Sequence, residues 1–128
     1  LMFVYRSRSE KDNHAIKACY AALELKKELL EVGIAVHIGI ATGSVLSGRI
    51  GSRKGKLDFT VIGDAVNMAA RLKSQAKKAK TTGIVLAPAT IRKTKGWARV
   101  NFIDRVIIKG KSREYPIYEL LELRSNLN

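Results

Sequence analysis

The sequence is short of cysteine, histidine, tryptophan and acidic residues, and each shortage closes off a class of structure or chemistry. Cys19 is the only cysteine. That excludes an internal disulfide and a cysteine-cluster zinc site, and it suits a reducing compartment such as the cytoplasm. Cys19 falls in a helical apolar pattern and reads as a core thiol. The two histidines, His14 and His37, have no second ligand at helical spacing. His37, inside an apolar stretch, reads as a structural histidine, and His14 as an exposed first-turn residue. The lone Trp97 reads as a packing residue rather than a stacking platform. No apolar run approaches the ~18 residues of a membrane-spanning helix. The opening Leu1-Met2-Phe3-Val4-Tyr5 lacks the basic leader and apolar region of a signal peptide. Acidic residues number 11 against 24 Lys plus Arg, a net charge of +13. Such a balance favours polyanionic partners: nucleotide phosphates, nucleic acid or an anionic membrane surface. It equally fits helix faces solvated by Lys and Arg, with acidic residues in a missing part of a longer protein. Composition does not choose between these.

What is present is enough for one folded domain, since 128 residues with 46% hydrophobic content can bury a core without staples. Residues 1–5 read as a buried β-strand, with no initiator methionine and no preceding turn, as in a piece of something longer. Residues 14–31 carry apolar positions at helical spacing, with Asp12 or Asn13 as the cap and Gly33 as the stop. Residues 34–40 are nearly all apolar and suit a central strand. Residues 45–50 read as its return strand in a hairpin, because so short a connection cannot make a parallel crossover. A polar loop at 51–56 leads to a strand at 59–62 and a helix from 64 to about 80. A strand at 83–86, a short helix at 88–93 opened by Pro88, and strands at 98–103, 105–108 and 115–123 follow. This order predicts an α+β domain: a mostly antiparallel sheet with helices over one face.

The glycine-rich stretch from Gly43 to Lys56 invites a phosphate-loop reading, and fails it. Gly43 and Gly48 have the spacing, but Arg49-Ile50 follows instead of Lys-Ser/Thr. Gly55-Lys56 has the lysine, but Ile50 and Leu57 stand where glycine and a hydroxyl belong. Glycines 39, 43, 48 and 51 fit a tight hairpin and close backbone packing better. The segment from Thr60 to Arg71 is more informative. On a helix opening near Asp64, Asn67 and Arg71 are four residues apart and share a face, while Ala65, Met68, Ala69 and Leu72 fall roughly opposite. A hydroxyl, an amide and a guanidinium near a helix start are suited to orienting a nucleotide and neutralising phosphate charge. An ordinary amphipathic helix with a surface arginine has the same periodicity.

The string from Asp58 to Leu72, DFTVIGDAVNMAARL, resembles the signature of class III adenylate and guanylate cyclase catalytic domains. The run Val36-His37-Ile38-Gly39-Ile40-Ala41-Thr42-Gly43, with Gly48 and Gly51, is similar to the hairpin those domains carry before it. Ile107-Ile108-Lys109-Gly110-Lys111, followed by residues 115–123, resembles their penultimate element and closing strand. Residues 1–5 look like the strand after the family's Gly-Asp metal hairpin, so the likeness covers nearly all of 1–128 in order. It implies the C-terminal part of a single ferredoxin-like cyclase domain whose N-terminal portion is missing. It also implies a homodimer with the active site between subunits, ATP as substrate, two Mg²⁺ or Mn²⁺ ions, and release of pyrophosphate as cyclic AMP forms for signal transduction. By resemblance, Asn67 orients the ribose, Arg71 stabilises the transition-state phosphate and Lys109 contacts the triphosphate. Thr60 holds the base-reading position, and threonine there resembles a bacterial-type subset that makes cyclic AMP.

The metal-binding aspartates, and the lysine partner of the base-reading position, would lie upstream of Leu1, so no metal ligand is assigned here and this chain alone is expected to be inactive. Asp64 and Asp58 read as structural residues. Family members are commonly fused to upstream regulatory domains, some of them membrane-embedded. Three other readings stand beside this one: a cyclase-homology module that regulates or dimerises without activity, a guanylate cyclase, and a basic nucleic-acid-binding domain using Lys73, Lys77, Lys78, Lys80 and Arg53-Lys54-Lys56. The last lacks the paired surface aromatics of common RNA-binding sheets, so no nucleic acid partner is expected.

Overall fold

Helix α1 (His14–Glu31) begins and ends on chemistry that the sequence carries. The computed structural model containing it describes residues 1–7, 9, 13–51, 57–107 and 112–124, with backbone alone for 47–51 and 57–62. The Asn13 side chain accepts the Ile16 N–H at 3.1 Å, satisfying a donor that the first turn leaves free. At the other end Gly33 adopts φ 82°. The Gly33 and Ile34 N–H groups donate back to the Leu30 and Leu29 carbonyls at 3.0 and 2.9 Å, the paired bonds of a Schellman cap. The buried stripe of α1 is Ala15, Cys19 and Ala22, small side chains that let the helix lie close on the sheet.

The chain continues through β1 (Ile38–Ile40), β2 (Leu46–Gly51), β3 (Leu57–Ile62), α2 (Asp64–Gln75), a 3₁₀ turn (Ala76–Lys78), β4 (Ile84–Leu86), α3 (Pro88–Lys93), β5 (Ala98–Ile107) and β6 (Glu114–Leu123). Four strands form one sheet in the order β1-β4-β6-β5, with β1 and β4 parallel and the other two pairings antiparallel. The α+β class and the mostly antiparallel pairing are as expected, but the helices cover both faces. On one face Ile40, Ile84, Leu86 and Leu120 meet Cys19 and Ala22 of α1 and Ile91 of α3. On the other Val85 and Ile117 meet Leu72, Ala76 and Ala79. The cause lies in β4: Ile84, Val85 and Leu86 point alternately to opposite faces, and all three are fully buried.

The connections differ from the sequence expectation in several places. The stretch at 34–40 is strand only over Ile38–Ile40, and it lies at one end of the four-stranded sheet instead of its centre. It forms no hairpin with β2. Its partner is β4, with Ile38 opposite Ile84 and Ile40 opposite Leu86. Strand β2 pairs antiparallel with β3 in a separate two-stranded sheet, from Leu46 opposite Ile62 to Gly51 opposite Leu57. A long six-residue register with β3 outcompetes the short return onto β1, whose apolar side chains are matched by β4. Of the loop expected at 51–56, residues 52–56 lie outside the described residues.

Residues 1–5, expected as a buried strand, join no ladder among the described residues and remain exposed, Phe3 at 61% and Leu1 at 108%. An unbroken apolar run needs cover on both faces, and no described element supplies it. The two predicted strands at 98–103 and 105–108 are one strand, β5, as far as Ile107, with register irregularities at Arg99/Val100 and Phe102/Asp104, while residue 108 lies outside the described residues. His37 precedes β1 and is exposed, not enclosed in a strand. His14 is half-buried, its Nδ1 shut off from solvent without a hydrogen-bond partner among the described residues, not an exposed first-turn group. Cys19 is the core thiol anticipated: fully buried, with its pKa pushed up to about 12 by desolvation.

Candidate nucleotide-binding site

The hairpin β2–β3 feeds directly into α2 through Gly63, whose φ of 152° lies where glycine is favoured. A Cβ there would come within 3.1 Å of the Ser44 carbonyl and 3.3 Å of Val45 Cα. The Gly63 carbonyl accepts the Val66 and Asn67 N–H groups at 3.1 and 3.2 Å, which closes the first turn. Asp64 is the first helical residue, where a carboxylate complements the positive end of the helix dipole.

The orientation of α2 is fixed by contact, not by propensity. Leu72 is fully buried with Ala76 and Ala79, and Met68 packs beside them. Gly39 of β1 lies directly beneath the helix: a Cβ on it would sit 2.6 Å from the Ala69 carbonyl oxygen and 2.8 Å from both Leu72 Cβ and the Lys73 nitrogen. Gly43 likewise lies under Ala65, at 3.2 Å. With that face committed to the sheet, Asn67 and Arg71 are exposed, one turn apart on the remaining surface. An exposed amide and guanidinium at this spacing can hold a sugar hydroxyl and a phosphate on one flank of one rigid helix.

The end of α2 is anchored by a group that sequence reading missed. Glu119 of β6 is buried, and its Oε2 accepts the Thr81 and Thr82 N–H groups at 2.8 and 2.6 Å and the Thr82 hydroxyl at 3.3 Å. The Thr82 hydroxyl also donates to the Leu120 carbonyl at 2.6 Å. These bonds tie the turn after α2 to the strand beside β4. A glutamate within the run Ile117-Tyr118-Glu119-Leu120-Leu121 was the available signal, because a carboxylate placed there must find donors if it is buried. At the same end Lys78 Nζ lies 2.8 Å from Asp104 Oδ2. The hydrogen bond from Lys78, then the Arg105 N–H and the Lys78 charge, hold the Asp104 carboxyl below its usual range.

Of the four positions expected to contact substrate, the structure brings Asn67 and Arg71 together on α2. Thr60 is on β3, across the ladder from Gly48 and two residues from the strand end that leads into the helix. Its backbone therefore lies on the hairpin that delivers α2. Lys109 lies outside the described residues. Two divalent cations need convergent carboxylates, and among the described residues no three of His, Cys, Asp or Glu come together. No helix among the described residues is long and apolar enough to cross a membrane.

A sequence model of the adenylate and guanylate cyclase catalytic domain matches residues 1–121. The chain belongs to that family. It is 28% identical over 118 residues to Adenylate cyclase 1 of Rhizobium meliloti (strain 1021), covering 84% of this chain and 17% of that protein. In fold it is similar to the adenylyl cyclase CyaB from P. aeruginosa, with a TM-score of 0.65 at 25% identity, covering 99% of this chain and 73% of that one. It is similar also to the guanylate cyclase domain of RhGC from Catenaria anguillulae in complex with GTP, with a TM-score of 0.68 at 25% identity, covering 88% and 62%. These likenesses agree with the ferredoxin-like cyclase fold implied by the signature. The chain spans less than a fifth of the length of the Rhizobium relative.

Proposed function

We propose that this chain supplies the substrate-orienting side of an adenylate cyclase site, in a protein that converts ATP to 3′,5′-cyclic AMP and pyrophosphate in the cytoplasm. The observation that carries the reading is the placement of Asn67 and Arg71 one turn apart on the exposed flank of α2. The ribose 3′-oxygen attacks the α-phosphorus, a new O3′–P bond forms, and the bond from that phosphorus to the β-phosphate oxygen breaks as pyrophosphate leaves. Asn67 hydrogen-bonds the ribose and aligns the attacking hydroxyl. Arg71 carries the negative charge that grows on the phosphate oxygens, where a bidentate cation acts most strongly. Lys109 contacts the triphosphate and Thr60 the purine edge. Mg²⁺ or Mn²⁺, held by carboxylates outside the described residues, would polarise the phosphate when bound. The second subunit of a homodimer, and upstream domains that regulate it, complete the assembly.

Adenine as the base is supported by Thr60 and by a relative named as an adenylate cyclase. The experiment is to assay the full-length protein with ATP and with GTP in Mn²⁺, and to compare Arg71→Ala. Cyclic AMP formation is expected, with turnover in Arg71→Ala lowered by about 10²-fold or more and a smaller change in substrate affinity. Arg71→Ala with unaltered turnover would sink the assignment. Cyclic GMP as the main product would reassign Thr60, and a wild-type protein inert toward both nucleotides would favour a regulatory module.

A further inference from the structure

Gln75, the last residue of α2, carries an unexplained group. Its Oε1 is shut off from solvent and has no hydrogen-bond partner among the described residues. Buried acceptors are nearly always paired, so one left open at the edge of a site calls for a donor that arrives in another state. The helix identifies where that donor can come from. Gln75 is four residues after Arg71, hence on the same flank and about 40° round toward the buried face. Side chains on a helix lean toward its N-terminus, which lays the Gln75 amide over the turn that carries Arg71. The neighbouring donors on this stretch are engaged elsewhere: Lys78 Nζ with Asp104 at 2.8 Å, and Ser74 Oγ with the Arg71 carbonyl at 2.6 Å. The Arg71 guanidinium is exposed and has no bonded partner among the described residues.

We propose that Gln75 is a positioning residue for Arg71: its Oε1 accepts one guanidinium N–H when the arginine is aligned on the substrate phosphate. This rests on the reading of Arg71 as the phosphate-binding cation. A guanidinium has five donors, so giving one to Gln75 leaves a full fork for phosphate. The gain is in orientation. A long exposed side chain samples many rotamers, and tethering one N–H restricts it to those that lie along the helix toward the substrate. The cost is borne by the resting state, in which the buried acceptor has no partner among the described residues.

The test uses the full-length protein and four variants: Gln75→Leu, Gln75→Glu, Arg71→Ala and the double variant Gln75→Leu/Arg71→Ala. Gln75→Leu removes the acceptor and keeps the bulk, so kcat falls by roughly 10- to 100-fold with KM within about two-fold of wild type. Its melting temperature is unchanged or higher by about 2–4 °C, because an unpaired buried acceptor has been replaced by an apolar group. Gln75→Glu keeps the acceptor and its reach, and kcat stays within a few-fold of wild type. The double variant is no slower than Arg71→Ala alone, since Gln75 acts only through Arg71. Three results overturn the inference while leaving the role of Arg71 intact: wild-type turnover in Gln75→Leu, a full extra loss in the double variant, or a fall in melting temperature that accompanies the fall in kcat. Normal turnover in Arg71→Ala overturns both.

Discussion

The close contact between Gly39 and α2 ties the stability of the sheet to the position of the candidate site. A Cβ added at Gly39 would lie 2.6 Å from the Ala69 carbonyl oxygen and 2.8 Å from Leu72 Cβ and the Lys73 nitrogen. Two of those three atoms are backbone in the middle of a helix and cannot swing aside. To bring the nearest contact from 2.6 Å to the ordinary range, which begins at 3.4 Å, α2 must move off β1 by about 0.8 Å. Overpacking of this kind costs about 1–3 kcal/mol. In a domain of this size that is about 4–11 °C in melting temperature. The same displacement carries Asn67 and Arg71 with it, and a misplacement of about 1 Å can cost 10²-fold in rate.

Gly33 provides the matched control. It has φ 82° and nothing within 4 Å of an added Cβ, so Gly33→Ala pays only the left-handed backbone penalty, about 1–2 kcal/mol. Its place is the cap of α1, away from α2. We therefore expect Gly39→Ala and Gly33→Ala to lose similar stability, and only Gly39→Ala to lose kcat by more than about 10-fold beyond what its unfolded fraction explains. Thermal melting of the full-length protein and nucleotide turnover well below the melting temperature measure the two effects separately. Wild-type stability and turnover in Gly39→Ala would refute the contact, and equal rate losses in both variants would refute the argument that helix placement carries the effect.

Further outcomes follow from single groups. Glu119→Leu removes the acceptor shared by Thr81 and Thr82 and leaves the buried Thr82 N–H and the part-buried Thr81 N–H unpaired; a loss of about 2–4 kcal/mol in urea unfolding is expected, and Glu119→Gln, which keeps one acceptor oxygen, should lose less. Cys19, with its thiol raised from 9.0 to about 12 by burial, stays protonated and should resist thiol reagents at pH 8 until the domain unfolds; rapid labelling of native protein would contradict this. By linkage, an acid raised in the folded state contributes its stability below the unfolded value and loses it as pH climbs toward the folded one. Cys19→Ser should therefore flatten the decline in stability between pH 9 and 12, as pH-dependent denaturation would show. The exposed pair Lys78–Asp104 is solvated at both ends, and Asp104→Asn should leave the melting temperature unmoved in moderate salt.

The parts of this chain that could be read in advance are those governed by local periodicity. Helix α1 has the bounds its apolar spacing predicts, because the Asn13 cap and the Gly33 stop act within one turn. Asn67 and Arg71 share an exposed flank because positions four apart on a helix must do so once Leu72 is buried. The misread parts depend on partners distant in sequence. Nothing near Ile38 to Ile40 says that their ladder partner is Ile84 to Leu86, and nothing near Glu119 says that its donors lie at Thr81 and Thr82.

The glycines show where the division falls. At Gly39 and Gly43 the sequence implies that some backbone or side chain comes too close for a Cβ, and a hairpin is the nearest local explanation. The structure supplies a different one: Gly39 clears the path of Ala69, Leu72 and Lys73, and Gly43 that of Ala65, so both make room for the helix that follows. A requirement for space is written locally, but the identity of what fills it is a property of the assembled sheet. It is through that space that β1 sets the height of α2, and with it the reach of Asn67 and Arg71.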